Sequence, residues 1–223
     1  MLRFCLPFSV FLILGSCSLR FIVKRMGLGF FNLGLDPKAG EWKHEILWRL
    51  FYGLASIFMA TVPISHIIQT ISPPLGEVLV CGMAGFFFSL PEGVIRKNAL
   101  LGLLTVVSCS MAASLGLIVT YYFEHDFLKG IVIVLVCLGG ALGLCAGIGS
   151  RSFLATVLGF LAGQCSGYGS GQSYPQLTAI VSTHELYVLV FQVLLGLYLP
   201  IGLSIGLAVW LGVKLSKRSQ SNA

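Results

Sequence analysis

Residues 130–148 read GIVIVLVCLGGALGLCAGI and contain no charged side chain. A run of this length and apolarity is typical of a membrane-spanning α-helix, because about 20 apolar residues cross the hydrocarbon core of a bilayer. Its glycines Gly139, Gly143 and Gly147 are spaced four apart, so they lie on one face of the predicted helix. The stretch therefore predicts a membrane span with one face suited to close packing.

The composition extends this prediction to most of the chain. The 223 residues are 57% hydrophobic and 10% charged, with a mean hydropathy of +0.94. Soluble proteins carry about 25% charged residues, so we expect lipid to surround most of this surface. We predict an all-α membrane protein, a bundle of six to seven helices, with the lipid bilayer as its main partner and no room for a soluble domain.

Charged and proline-containing segments divide the chain into three parts. Residues 1–45 hold a hydrophobic segment and a basic connection, residues 46–213 form the transmembrane domain, and residues 214–223 form a basic tail. The predicted spans are 46–70, 75–91, 99–122, 130–149, 153–166 and 186–213. The first hydrophobic segment is either retained as a helix, cleaved as a signal, or lipidated at Cys17, and a retained helix is favoured because only Arg3 precedes it.

Two connections and one arginine complete this prediction. Residues 91–98 read as a solvated turn in which Glu92 and Arg96 have i,i+4 spacing, and residues 166–176, rich in Gly, Ser, Gln and Tyr, read as a mobile loop. Arg49 lies inside an apolar run and is expected to extend to lipid phosphates. We accordingly expect no buried ionisable site.

The distribution of Lys and Arg predicts the orientation. With alternating spans, only Arg3 and Lys129 fall on one side, and cytoplasmic loops carry the excess of basic residues. We therefore predict a multi-pass protein of a bacterial inner (plasma) membrane with a cytoplasmic C-terminus, and no nucleic-acid partner despite the net charge of +6. The orientation depends on Arg96, Lys97, Arg151, Lys214, Lys217 and Arg218.

Glycine spacing predicts how the helices pack. Small residues repeated every four positions let two helix backbones approach closely, which replaces the hydrophobic effect inside lipid. A functional alternative is that the glycines line a pore, and packing is favoured over it. The predicted packing residues are Gly139, Gly143, Gly147, Gly159, Gly163, Gly167, Gly202 and Gly206.

An internal repeat is also predicted. The triplet LVC at residues 79–81 recurs at residues 135–137, and each copy opens a span that ends near a glycine and a basic turn. This pattern indicates two parallel Gly-rich helical-hairpin repeats. With the motif GIGSRS at residues 147–152, the region 77–172 resembles the Gly-zipper repeat segments of uncharacterised bacterial integral membrane proteins, some of which are joined to forkhead-associated or von Willebrand-type modules. The resemblance implies an architecture and little chemistry.

Polar residues on the side opposite the basic turns form a candidate metal or proton site, with ordinary interfacial residues as the favoured alternative. They are His66, Glu77, His125, Asp126, His184 and Glu185. A serine nucleophile at Ser170 with His184 as its base has no orienting partner. The seven cysteines form no CxxC pair. We predict no catalytic residue, no metal and no cofactor.

These observations favour a non-enzymatic scaffold or accessory subunit, packed through Gly zippers and joined to a membrane-protein partner or a second copy. A small-solute or ion transporter or channel is the alternative, and an intramembrane enzyme ranks third. The transporter ranks below the scaffold because the sequence offers no evident buried ionisable site.

Overall fold

A computed structural model describes residues 41–96, 99–123, 127–180 and 185–221, and its regular structure is entirely helical. The six α-helices are α1 Arg49–Thr70, α2 Leu75–Arg96, α3 Ala99–Phe123, α4 Phe127–Ser150, α5 Phe153–Ile180 and α6 Leu186–Ser221. A π-helical segment, Lys43–Trp48, leads directly into α1. The prediction of an all-α protein is confirmed over these residues, and most of the predicted 1–45 segment lies outside them.

The surface of the bundle fits contact with lipid. Phe58 is 73% exposed and Phe153 is 86% exposed, and many other large apolar side chains point outward. Such a surface is unfavourable in water and ordinary in a bilayer. Five helical segments are long and apolar enough to cross a membrane, so the chain is a multi-pass integral membrane protein; they are Glu45–Thr70, Leu75–Arg96, Leu101–Val119, Lys129–Ser150 and Leu186–Ser219.

The helices form a closed ring. Each helix packs against the next one in the chain, α6 returns to pack against α1, and α4 also contacts α2 and α6. Successive helices are antiparallel, which defines two ends of the bundle. The basic end contains the start of α1 and the ends of α2, α4 and α6, and exposes Arg151, Lys214, Lys217 and Arg218. The opposite end contains the end of α1 and the start of α2.

The α4–α5 connection is only two residues long, and its sequence explains why. Arg151 directly follows α4 with a φ of 57°, and its N–H donates to the carbonyl of Ile148 at 2.9 Å. Ser152 then caps α5, since its hydroxyl accepts a hydrogen bond from the N–H of Ala155 at 3.3 Å. A left-handed residue followed by a serine cap reverses the chain within one turn.

Glycines bring α4 and α5 into backbone contact. A Cβ added to Gly143 would overlap the carbonyl oxygen of Gly159, and one added to Gly139 would overlap that of Gly163. A Cβ on Gly147 would overlap Thr156. Six of the eight glycines proposed for packing lie in this interface, because Gly167 also faces α4, at Leu135.

Other glycines make similar contacts that the sequence reading did not single out. In the α2–α3 hairpin, a Cβ on Gly93 would lie 2.7 Å from the Cα of Gly102. In the same hairpin, a Cβ on Gly85 would lie 2.6 Å from the carbonyl oxygen of Cys109. Gly202 differs from the predicted set, since the nearest atoms to its added Cβ belong to Tyr198 of its own helix.

The predicted loop at residues 166–176 is wrong, because α5 continues to Ile180. Gly167 and Gly171 keep the four-residue spacing and face α4; a Cβ on Gly171 would lie 2.8 Å from the Cα of Val132. Two of the serines bond within the helix, as Ser166 donates to the carbonyl of Ala162 at 2.7 Å and Ser173 to that of Gly169 at 2.9 Å. The buried hydroxyl of Ser170 has no hydrogen-bond partner among the described residues. Packing against α4 thus outweighs the low helix propensity of Gly and Ser.

The predicted turn at residues 91–98 is also wrong over its described part. Helix α2 runs through Pro91 and ends at Arg96, and Glu92 and Arg96 are buried. Their partners lie on other segments, as described below.

We expect Gly143→Ala to destabilise the protein, because the added methyl group overlaps a backbone oxygen that cannot rotate away. Overpacking of this kind costs about 1–3 kcal/mol. Gly169→Ala is the matched control: it lies on the same pair of helices, nothing lies within 4 Å of its added Cβ, and alanine has the higher helix propensity. Equilibrium unfolding in detergent–lipid mixtures measures both variants, and equal stabilities would contradict this packing.

Candidate functional site

Four charged side chains meet in the interior near the basic end; we name Glu45, Arg49, Glu92 and Arg96 the ionic layer. Arg49 donates from Nε to Glu92 Oε1 at 2.5 Å and from Nη2 to Glu92 Oε2 at 3.0 Å. Arg96 donates from Nη1 and Nη2 to the two oxygens of Glu45 at 2.6 and 2.7 Å. Both pairs are therefore bidentate, the geometry in which arginine binds a carboxylate most strongly.

Antiparallel packing brings these partners together. Glu45 of the π-helical segment and Arg49, the first residue of α1, are four residues apart, and Glu92 and Arg96 are four residues apart at the end of α2. When the two segments run in opposite directions, each acid lies opposite the base of the other segment. A contact of Arg49 Nη2 with Glu45 Oε2 at 3.4 Å links the two pairs into one network.

The ionic layer is buried and charge-neutral. Glu45, Arg49, Glu92 and Arg96 are 0%, 2%, 3% and 5% exposed. An isolated charge in such surroundings costs several kcal/mol, so two acids and two bases that neutralise each other are the arrangement that burial permits. Arg96 Nη2 also donates to the carbonyl of Ala146 on α4 at 3.2 Å, and Arg49 Nη1 donates to the backbone oxygen of Glu45.

Two glycines provide the space for these guanidinium groups. A Cβ on Gly206 of α6 would overlap the carbonyl oxygen of Glu45 and lie 3.2 Å from Nη1 of Arg49. A Cβ on Gly149 of α4 would lie 3.1 Å from Nε of Arg96. Gly206 was predicted to pack helices, and its contact in the structure is with the ionic layer.

An aromatic pair covers the ionic layer on the side toward the bundle centre. Phe88 of α2 and Tyr198 of α6 meet edge to face with ring centroids 5.1 Å apart. The hydroxyl of Tyr198 donates to the backbone oxygen of Arg49 at 3.1 Å, and Gly53 leaves room for its ring. The aromatic pair therefore contacts the backbone of the ionic layer through Tyr198.

A central cavity of about 370 Å³ occupies the other half. All six α-helices line it, and Phe88 lies at the boundary between the cavity and the ionic layer. Its walls are almost entirely apolar, from residues such as Ile68, Val134 and Leu194. A cavity of this size and character is typical of a binding site for a small organic molecule.

Glu77, in the first turn of α2, is the only charged residue among the described residues that line the cavity. The hydroxyl of Tyr121 on α3 donates to its Oε2 atom. This hydrogen bond raises the pKa of Tyr121 to about 12, since the phenol donates to a carboxylate.

The structure describes three of the six predicted polar residues. Glu77 accepts a hydrogen bond from Tyr121, and His66 and Glu185 are exposed. His125, Asp126 and His184 lie outside the described residues, as does Lys97. Within the described ranges, no group of three or more His, Cys, Asp or Glu side chains could hold a metal ion. Ser170 lies inside helix α5 and not in a loop.

Two expectations about charge were wrong. Arg49 binds Glu92 of the facing helix through two hydrogen bonds instead of extending to lipid phosphates. Arg96 is buried rather than solvated, and its part in setting the orientation stays a prediction. A buried ionisable site is present, and the repeated acid–base spacing in neighbouring spans was the signal that could have revealed it.

Comparisons with known proteins return no match: no family model, curated protein or solved structure is significantly similar to this chain. The resemblance to Gly-zipper repeat segments therefore stays a prediction.

We expect Arg49→Met to lower the free energy of unfolding by about 3–5 kcal/mol, because it leaves the carboxylate of Glu92 buried without its bidentate partner. The double variant Arg49→Met, Glu92→Met should lose less than the sum of the two single variants. Lys217→Met, at an exposed base of the same end, should change stability by no more than about 0.5 kcal/mol. Strictly additive effects in equilibrium unfolding would contradict the pairing.

Proposed function

We propose that this chain is a membrane transporter of small solutes, loaded through the central cavity and closed at the basic end by the ionic layer. One observation carries the proposal: a cavity lined by all six helices ends at an aromatic pair that rests on a neutral layer of ion pairs. A binding space and a barrier thus follow one another along the bundle.

The chemistry of the barrier supports a gate. Removing an arginine–glutamate pair from water costs nearly as much as the pair gains by its mutual attraction, so the closed and hydrated arrangements differ little in free energy. A purely apolar plug would favour the closed arrangement much more strongly. Two states of similar free energy are what alternating access requires.

The contacts of the glycines bear on the scaffold alternative. The glycine faces that favoured a scaffold in the sequence are occupied within the chain, since Gly143 faces Gly159 and Gly93 faces Gly102. Helix packing therefore needs no second protein at these positions. The cavity and the ionic layer have no evident use in a scaffold, and we rank the transporter first.

We also propose that the hairpins α2–α3 and α4–α5 are two copies of one repeat, and that the basic end faces the cytoplasm. The hairpins α2–α3 and α4–α5 each close on a glycine contact, which supports two parallel repeats that move against each other. The exposed bases Arg151, Lys214, Lys217 and Arg218 support a cytoplasmic basic end in a bacterial inner membrane. The solute then enters from the outer side.

Thiol labelling at Cys81, which lines the cavity, tests the gate. The variant used retains Cys81 and replaces the other cysteines by alanine. A small charged methanethiosulfonate should react with Cys81 only when it is added on the side of the membrane that the opposite end faces. Glu92→Gln should raise the rate of Cys81 labelling from the basic end by about tenfold or more. The reason is that it removes the charged partner of Arg49, which stabilises the closed gate by more than about 1.4 kcal/mol.

Ser89→Ala is the control for this experiment. Ser89 is buried on the same helix, and its hydroxyl donates to the carbonyl of Phe86 at 2.7 Å, outside the ionic layer. It should leave the labelling pattern unchanged, and size-exclusion profiles verify that each variant is folded. Unaltered labelling in a folded Glu92→Gln variant would refute the gate.

Single cysteines at exposed positions test the orientation. In the cysteine-free chain, Lys129→Cys at the opposite end should react with an impermeant maleimide in intact cells. Lys217→Cys at the basic end should react only after the cells are opened. Labelling of both positions from the same side would contradict the topology.

A further inference from the structure

Among the described residues, the half-buried carboxylate of Glu77 differs from the two buried acids, Glu45 and Glu92. Glu45 and Glu92 each bind an arginine through two hydrogen bonds. Glu77 accepts a hydrogen bond from the neutral phenol of Tyr121, and among the described residues no Lys, Arg or His forms an ion pair with it. Among the described residues, the acids near the basic end are thus paired with arginines, and the acid that lines the cavity is not.

The surroundings of Glu77 restrict what can neutralise that charge. A bare metal ion requires several oxygen, nitrogen or sulfur ligands, and the described residues offer no cluster of them. An anion would be repelled, and a neutral apolar molecule would displace water from the carboxylate without replacing it. An organic ammonium group needs only one carboxylate and brings its own apolar body for the remaining space.

We infer that the cavity binds a lipophilic organic cation, with its ammonium group on Glu77 and its apolar body between α2, α4 and α6. This inference rests on the proposed function and names the substrate class of that same cavity. A volume of about 370 Å³ suits a body of one aromatic ring and a short alkyl chain. Tyr174, which also lines the cavity, adds an aromatic ring, and the faces of such rings attract ammonium groups.

Three probes with the same apolar body separate charge from hydrophobicity: phenylbutylamine, phenylbutanol and phenylpentanoate. Binding of tritiated phenylbutylamine is measured on the purified protein in nanodiscs of neutral phosphatidylcholine, and empty nanodiscs correct for partition into lipid. The amine should bind saturably and the alcohol should compete only weakly. The carboxylate should not compete, because Glu77 repels it.

Variants at Glu77 assign the site. Glu77→Gln should weaken amine binding by about tenfold or more and leave competition by the alcohol unchanged, since only the charge is lost. Glu77→Asp keeps the charge and should retain most of the affinity. Glu185→Gln, an exposed acid at the same end that does not line the cavity, is the matched control and should bind like the parent chain.

Protection of the Cys81 thiol from labelling tests whether the ligand binds in the cavity. Bound phenylbutylamine should slow the labelling of Cys81, because both occupy the cavity. No saturable binding, equal binding of the three probes, or full affinity in a folded Glu77→Gln variant would overturn the inference. The gate experiment at Glu92 needs no ligand, so its result stands or fails independently of this one.

Discussion

Two guanidinium groups and two carboxylates share the interior of a bundle whose outer surface is apolar, and the cost of dehydrating them constrains everything around them. Each charge must find an opposite charge at hydrogen-bond distance, which fixes the register of α1 against α2. The side chains are too large to enter a tightly packed helix crossing, so α4 and α6 present glycines where the guanidinium groups lie. The basic half of the bundle is organised by this requirement.

Among the described residues of the half of the bundle away from the basic end, ion pairs do not determine the packing. There the helices separate enough to leave a cavity with apolar walls, and Glu77, the one charged residue among the described residues that line it, accepts a hydrogen bond from a phenol. Lipid offers helices little reason to associate, so the contact between α4 and α5 depends on backbone approach through Gly139, Gly143 and their partners. A rigid glycine-packed pair beside a cavity and a neutral ionic layer gives the molecule both a binding space and a barrier.

The sequence was sufficient to predict the helices, because apolar runs of membrane length have few other interpretations. Gly139, Gly143 and Gly147 were found for the same reason, since their spacing determines a shared helix face. It was not sufficient for α5 beyond residue 166, where Gly and Ser favour a loop locally and only contact with α4 makes them helical.

The ionic layer was missed because pairing is a property of two helices. On a single helix, the i,i+4 spacing of Glu92 and Arg96 also fits a solvated turn. Arg49 alone fits a residue that extends to lipid phosphates. Their burial depends on the facing segment, on Gly149 and Gly206, and on the ring of Tyr198. No single stretch of sequence contains that information, although the matched spacing of the two acid–base pairs points toward it.

Solid-state NMR of the protein in liposomes tests the ionic layer most directly, by measuring dipolar couplings between isotope-labelled guanidinium nitrogens and glutamate carboxyl carbons. We expect strong couplings of Arg49 to Glu92 and of Arg96 to Glu45, as the short contacts require. Couplings of these guanidinium groups to lipid phosphorus, with none to the carboxyl carbons, would contradict it.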